Sequence, residues 1–114
     1  MPRRGRKDST QDTIANIWSG HGFWVLDLHD AAGTFQFAHD GERIAGGIAD
    51  LLCVFGPYAV FVECKAERGR PEKAERAFQA ACDVRGVPYL IEYNADEAER
   101  HAMYHRSRAL RRQL

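Results

Sequence analysis

Residues 46–65, GGIADLLCVFGPYAVFVECK, decide how this chain folds. Two apolar runs, 48–55 and 58–65, meet at Gly56 and Pro57, residues that punctuate a tight turn between antiparallel strands. Strands this apolar tolerate few charges, because an unpaired buried carboxylate costs several kcal/mol or takes up a proton. Asp50, Glu63 and Lys65 therefore stand out. Side chains alternate along a strand, so Glu63 and Lys65 share one face and Cys64 points to the other. A two-residue loop pairs Phe55 with Tyr58 and, counting outward, Asp50 with Glu63. A turn that starts at Gly56, with Pro57 in second place, sets Asp50 opposite Lys65 instead. In both registers the three charges lie on one face, and only a slip of one residue separates them.

Two carboxylates gathered on a sheet repel each other unless a cation lies between them, and oxygen-only ligation suits Mg²⁺ or Mn²⁺ rather than zinc. A lysine beside such a cation completes a phosphate-cleaving centre, since its ammonium stabilises an attacking hydroxide or the charge developing on phosphate. The same residues also read as strand-end charges paired for solubility.

Working outward, Ser9 or Thr10 caps a helix over residues 10–20 whose apolar positions Ile14, Ile17 and Trp18 recur at helical spacing, and Gly20 to Gly22 stop it. Residues 23–29 and 34–39, with a turn signal at 30–33 between them, read as a strand pair. After the central hairpin, Pro71 marks a first helical position. Ala74, Ala77, Phe78, Ala81 and Cys82 form an apolar stripe that ends at Gly86. Residues 87–93 form a short buried strand, and Asn94 caps a last helix running from Ala95 into an arginine-rich tail. The order is α-β-β-β-β-α-β-α: an α/β fold with a mixed central sheet flanked by helices.

The 114 residues make one domain, 1–114, and a 45% hydrophobic content lets a chain of this size bury roughly two thirds of its unfolded surface. No apolar run reaches the ~20 residues of a membrane span, and the basic amino terminus lacks the apolar stretch of a signal peptide. Cys53, Cys64 and Cys82 cannot all pair within one chain and sit in apolar segments. The expectation is a cytoplasmic protein with reduced thiols and no membrane partner. The formal net charge of zero conceals basic ends on an acidic body. Arg3, Arg4, Arg6 and Lys7 open the chain, and Arg106, Arg108, Arg111 and Arg112 close it. The residues between them hold 8 basic side chains against all 16 acidic ones. That distribution suits a polyanion held at the edges, and equally suits solvated chain ends.

The segment GGIADLL at 46–52, followed by VECK at 62–65, resembles the G-x-x-D…E-x-K signature of PD-(D/E)xK nucleases. It is most similar to the VRR-NUC branch, the virus-type replication and repair nucleases, in which G-x-P-D-L precedes the E-x-K strand; here Ala49 replaces the proline. The resemblance runs from the first helix through Tyr93 and implies the family's αβββαβ restriction-endonuclease-like core. It also implies that Asp50 and Glu63 ligate Mg²⁺ or Mn²⁺, that the carbonyl of Cys64 supplies a further oxygen, and that Lys65 is the catalytic lysine. Family members usually carry a glutamine on the helix after E-x-K. Glu75 fills that slot here, with Gln79 one turn further on, and Glu75 reads equally as a solvated helix charge. A glutamate on the first helix is also common, and this chain offers Asp8, the best length match, with Gln11 and Asp12.

Arg43, Arg68, Arg70, Lys73 and Arg76 flank the candidate centre in sequence; they suit phosphates beside the scissile one and equally read as ordinary surface charges of loops and helix starts. His101 and His105, four residues apart on the last helix, read as part of a solvated basic helix more readily than as a zinc site. No P-loop, dinucleotide-binding or serine-hydrolase motif occurs. The resemblance thus implies a Mg²⁺-dependent DNA endonuclease acting on branched or junction DNA in replication or repair. The alternative is a catalytically silent nucleic-acid-binding or assembly module on the same fold. Symmetric junction cutting needs two sites, which implies a homodimer; Trp18, Trp24 and Tyr104 are candidate interface aromatics and equally suit the monomer core.

Overall fold

A computed structural model describes residues 9–28, 36–65 and 73–112. In chain order the elements are α1 (Ser9–Gly20), β1 (Trp24–Asp27), β2 (Gln36–His39), β3 (Glu42–Ala45), β4 (Leu51–Phe55), β5 (Tyr58–Cys64), α2 (Lys73–Arg85), β6 (Tyr89–Glu92) and α3 (Ala95–Arg112). Among the described residues the architecture is mixed α/β. A four-stranded sheet has the order β1-β4-β5-β6, antiparallel except for the parallel β5–β6 pair, and β2–β3 form a separate hairpin.

The central hairpin takes the first of the two registers. Phe55 pairs with Tyr58 and Leu51 with Val62, so Asp50 stands one step beyond, on the Glu63 side. Gly56 has a φ of +61°, and a proline after it, with φ held near −65°, gives the primed turn that matches strand twist. The crossover from β5 through α2 to β6 makes the sheet mixed. α2 stops where Gly86 takes a φ of +72° and Val87 N–H bonds back to the Cys82 carbonyl at 3.0 Å.

Alternation gives the sheet two unlike faces. Leu51, Cys53, Val60 and Val62 pack with Ile14 and Trp18 of α1 and with Ala98, Ala102 and Ala109 of α3. Phe61, on the opposite face, packs with Phe78 and Cys82 of α2 and with Ala49. Phe78 meets Phe37, Phe61 and Tyr89 edge-on, with ring centres 4.8–5.9 Å apart, an arrangement that aromatic quadrupoles favour. Through Phe37, the β2–β3 hairpin joins this second cluster.

Three expectations need correction. Among the described residues of 23–29 and 34–39, β1 and β2 do not pair with each other: β1 bonds to β4 and β2 to β3. The hairpin turn lies instead at Asp40 and Gly41, both at positive φ, 54° and 81°. The chain end through Arg112 is not a tail, because it is helix and Ala109 is fully buried. Of the two readings open for Trp18 the structure takes the core, fully buried with its ring edge-on to Phe23 at 4.8 Å. His105 is buried rather than solvated; it bonds to the Tyr58 hydroxyl at 2.7 Å, and His101 bonds to Glu92 at 2.8 Å. Asp8, the amino-terminal basic residues, Arg68, Arg70 and Pro71 lie outside the described residues. No helix among the described residues is long and apolar enough to cross a membrane.

Candidate active site

Glu63 is the second-to-last residue of β5 and faces α2, because Phe61, two residues earlier, lies in the α2 cluster. Lys65, two residues on, shares that face. Its Nζ lies 3.5 Å from Glu63 Oε2 and donates to both carboxylate oxygens of Glu75, at 3.1 and 3.3 Å. Asp50 is anchored at the mouth of β4 from two sides. Its Oδ2 accepts the Cys64 N–H at 2.9 Å, and its carbonyl accepts the Leu28 N–H at 2.7 Å. One backbone amide of the E-x-K segment thus holds the aspartate in place.

The loop before Asp50 explains how α2 comes so close. Gly46 and Gly47 have φ values of +77° and +73°, a region L side chains avoid. At Gly47 a Cβ would overlap the backbone of Ala74. The glycine therefore lets the first turn of α2 sit directly on the loop, one residue before Glu75. The G-x-x-D spacing has a packing cause: it seats the helix that carries the fourth member of the cluster.

The electrostatics are crowded. Glu63 is only 6% exposed. Burial, then the charges of Asp50 and Glu75 and a hydrogen bond to Glu75, push its carboxyl up to about 8, against the opposing pull of Lys65. Burial works against the Lys65 ammonium, yet hydrogen bonds and charges from Glu75 and Glu63 raise its pKa, so the lysine stays cationic. The Tyr89 phenol, on the neighbouring strand, is pushed up by burial and then by Glu63 and Glu75. Its signal in the sequence was only an apolar strand. Cys64 is raised by burial and surrounding carboxylates, so its thiol is held protonated and its part here is played by its backbone.

Asp50, Glu63, Lys65 and Glu75 are therefore brought together. Glu75 is not a solvated charge: its side chain is 16% exposed and bound to Lys65. Gln79 lies one turn further along α2, half-buried. Gln11 is buried on α1, where its Nε2 donates to Asp27 at 3.3 Å. Asp27 pairs with Leu51 on the face opposite Glu63, so Gln11 is no part of this cluster. Asp12 is exposed on α1. Lys73 and Arg76 are exposed at the start of α2, and Arg43 lies on the β2–β3 hairpin, donating to Gln36 at 3.1 Å.

The donors are hard carboxylate oxygens, the kind that suits Mg²⁺ or Mn²⁺. Three carboxylates share one buried end of the sheet, and a cation would offset the burial and the repulsion that raise Glu63. As they stand, no three His, Cys, Asp or Glu side chains among the described residues are gathered to hold a metal ion, and the Lys65 ammonium bridges Glu63 and Glu75. Comparison with family models, with curated proteins and with solved structures finds no match.

Proposed function

We propose that this chain is a metal-dependent DNA endonuclease with a PD-(D/E)xK core of the VRR-NUC type, cutting branched or junction DNA. The observation that carries the reading is the convergence of Asp50, Glu63, Lys65 and Glu75 at one end of the β4–β5 hairpin, on the face covered by α2. The order α1-β1-β4-β5-α2-β6, with β2–β3 inserted, supports it, because it is compatible with αβββαβ.

Asp50 and Glu63 would hold the divalent cation, with the Cys64 carbonyl as a further oxygen. When bound, Mg²⁺ or Mn²⁺ supplies Lewis-acid polarisation of a phosphoryl oxygen and a water of lowered pKa. Cys64 N–H fixes the Asp50 carboxylate. Glu75 orients Lys65 as a positioning residue, and Lys65 places positive charge where the nucleophile or the departing negative charge develops. Exposed Lys73 and Arg76, with Arg43 on the hairpin, would take flanking phosphates.

A homodimer belongs to this reading because two strands must be cut. Trp24, 67% exposed on edge strand β1, is its candidate contact in place of Trp18. A sedimentation species of 13 kDa alone, with junction cutting intact, would remove the dimer. A second reading, a nucleic-acid-binding module without cleavage, draws on the Lys65 ammonium that already bridges Glu63 and Glu75. Nicking of plasmid and four-way-junction DNA in Mg²⁺ separates the two. The Lys65→Ala variant should keep or gain Mn²⁺ affinity while losing about 10²-fold or more in rate. Absence of metal-dependent nicking by the parent protein would leave the binding module as the better reading.

A further inference from the structure

At the opposite end of β5, about 16 Å from Glu63 at ~3.3 Å per residue, a cleft of about 440 Å³ opens between Pro57, Tyr58, Tyr104, His105, Arg108 and Arg112. The nuclease reading uses none of these residues. A second cavity of about 170 Å³, lined by Arg108, Arg111 and Arg112, shares two of its arginines.

The sequence builds this place by spacing. Tyr104, Arg108 and Arg112 recur every four residues and so form one stripe along α3. Ala109, buried between them, fixes the rotation of the helix. Arg108 donates to the hydroxyls of Tyr58 and Tyr104, both at 3.3 Å, and its guanidinium carbon lies 5.6 Å from the Tyr104 ring centre. The Arg112 guanidinium lies 5.8 Å from the Tyr58 ring. Burial holds His105 neutral at physiological pH, at about 4, so the positive charge of the cleft is arginine.

Three guanidiniums within two helical turns repel one another. Among the described residues none of them has a carboxylate at ion-pair distance. The helix dipole favours cations at a C-terminus by about 0.3–1 kcal/mol each. It does not account for their convergence with two phenol rings on one cleft. Guanidinium forks match phosphate oxygens, aromatic faces take a base in stacking, and the volume falls in the range of small-ligand sites. The walls carry no acidic residue.

We propose that this cleft binds a nucleoside phosphate unit, with its ring on the exposed Tyr104 beside Pro57 and its phosphate between Arg108, Arg111 and Arg112. The unit has two possible sources, a free nucleotide or an unpaired nucleotide of a nucleic-acid strand. The site stands on its own geometry and does not require the carboxylate cluster to cut.

Calorimetric titration of the full chain, free of divalent metal, with adenosine 5′-monophosphate, adenosine, inorganic phosphate and a short single-stranded oligodeoxynucleotide tests it. Adenosine 5′-monophosphate or the strand should bind saturably with a Kd below about 1 mM, and adenosine and phosphate alone should bind at least about tenfold more weakly. Arg108→Gln and Arg112→Gln should each weaken binding about tenfold, the loss of one charge-assisted contact. Tyr104→Leu should weaken the nucleotide but leave inorganic phosphate unchanged. Tyr104 and Arg112 are exposed and Arg108 half-buried, so folding should survive, as circular dichroism would verify. A strand that binds far more tightly than the mononucleotide, and loses that gain in the same variants, identifies the strand as the source; equal affinities identify the free nucleotide. Lys65→Ala should bind adenosine 5′-monophosphate as the parent does, which separates this site from the nuclease reading. No saturable binding by either probe, or binding unchanged in an Arg108→Gln/Arg112→Gln double variant, would overturn the proposal.

Discussion

Two buried glutamates end neighbouring strands, and they are opposites. Glu92 closes β6 on the face toward α1 and α3, fully buried, with Oε1 accepting from Trp18 Nε1 at 3.1 Å and Oε2 bonded to His101 at 2.8 Å. Burial raises its carboxyl, but its closest partners oppose the rise. Glu63, on β5, faces α2, where its nearest charges include two other carboxylates and one shared ammonium. Both are inaccessible, so burial alone does not mark a site. The difference is in what surrounds them: Glu92 sits in a network that satisfies both its oxygens, whereas Glu63 sits among like charges whose repulsion a cation would relieve. The first arrangement serves stability, and the second costs stability in a way that a ligand can repay.

The largest test of this contrast is Glu92→Ala. It strands the Trp18 N–H and His101 and opens a cavity, so urea unfolding should show a loss of about 3–5 kcal/mol. Glu63→Gln should instead be neutral or stabilising. Equal losses at the two positions would erase the distinction.

Next comes Gly47→Ala, which forces a Cβ into the Ala74 backbone at a φ of +73° and should cost about 1–3 kcal/mol. Because it pushes on the first turn of α2, it should also loosen the Glu75–Lys65 contact and lower cleavage. Gly46→Ala has the same backbone strain but open space around the Cβ, so it should spare cleavage. A Gly47→Ala variant with parental stability and cleavage would show that the close approach does not seat the site.

The smallest effect is in the pH profile. Glu63 is raised from 4.5 to about 8, so the folded state holds a proton that the unfolded state has released between those values. Its contribution to stability is full below about 4.5 and is lost as pH rises through 8, at no more than about 1.4 kcal/mol per pH unit. His105, held down at about 4 from 6.5, acts in the other direction: its contribution is present above 6.5 and lost as pH falls toward 4. Melting temperatures across pH 4–9 should therefore fall at both ends. Glu63→Gln should remove the alkaline slope and leave the acid one. An alkaline slope that persists in Glu63→Gln belongs to another group.

Much of the site was legible because it is local. Gly56 and Pro57 mark a tight turn, and in both registers open to the sequence alternation puts Asp50, Glu63 and Lys65 on one face; only the structure decides for Asp50 beside Glu63. Glu75 was named from the family slot alone, with a solvated charge as its equal, and its contact with Lys65 settles it. What was not legible depends on long-range pairing. β1 reaches past a whole hairpin to bond with β4, while sequence proximity favoured its neighbour. Asp40-Gly41 is a strong hairpin signal, but residues 30–33 carry a competing turn signal beside it. Trp18 and Glu92 are 74 residues apart, and neither helical spacing nor charge announces that they meet. His101 and His105 looked solvated because a helix with arginines on most of its turns hides a narrow buried stripe of alanines.

The most direct measurement is a calorimetric Mn²⁺ titration of the parent protein and of Asp50→Asn, with cleavage of a labelled four-way junction followed in parallel. Asp50→Asn keeps the side-chain volume and removes one ligand charge, so the nuclease reading predicts a folded protein with Mn²⁺ binding lost and cleavage reduced by about 10²-fold or more. Metal-free DNA affinity should be unchanged or higher. An Asp50→Asn protein that binds Mn²⁺ and cuts the junction at the parental rate would contradict it, and Asp50, Glu63, Lys65 and Glu75 would then be strand-end charges paired for solubility.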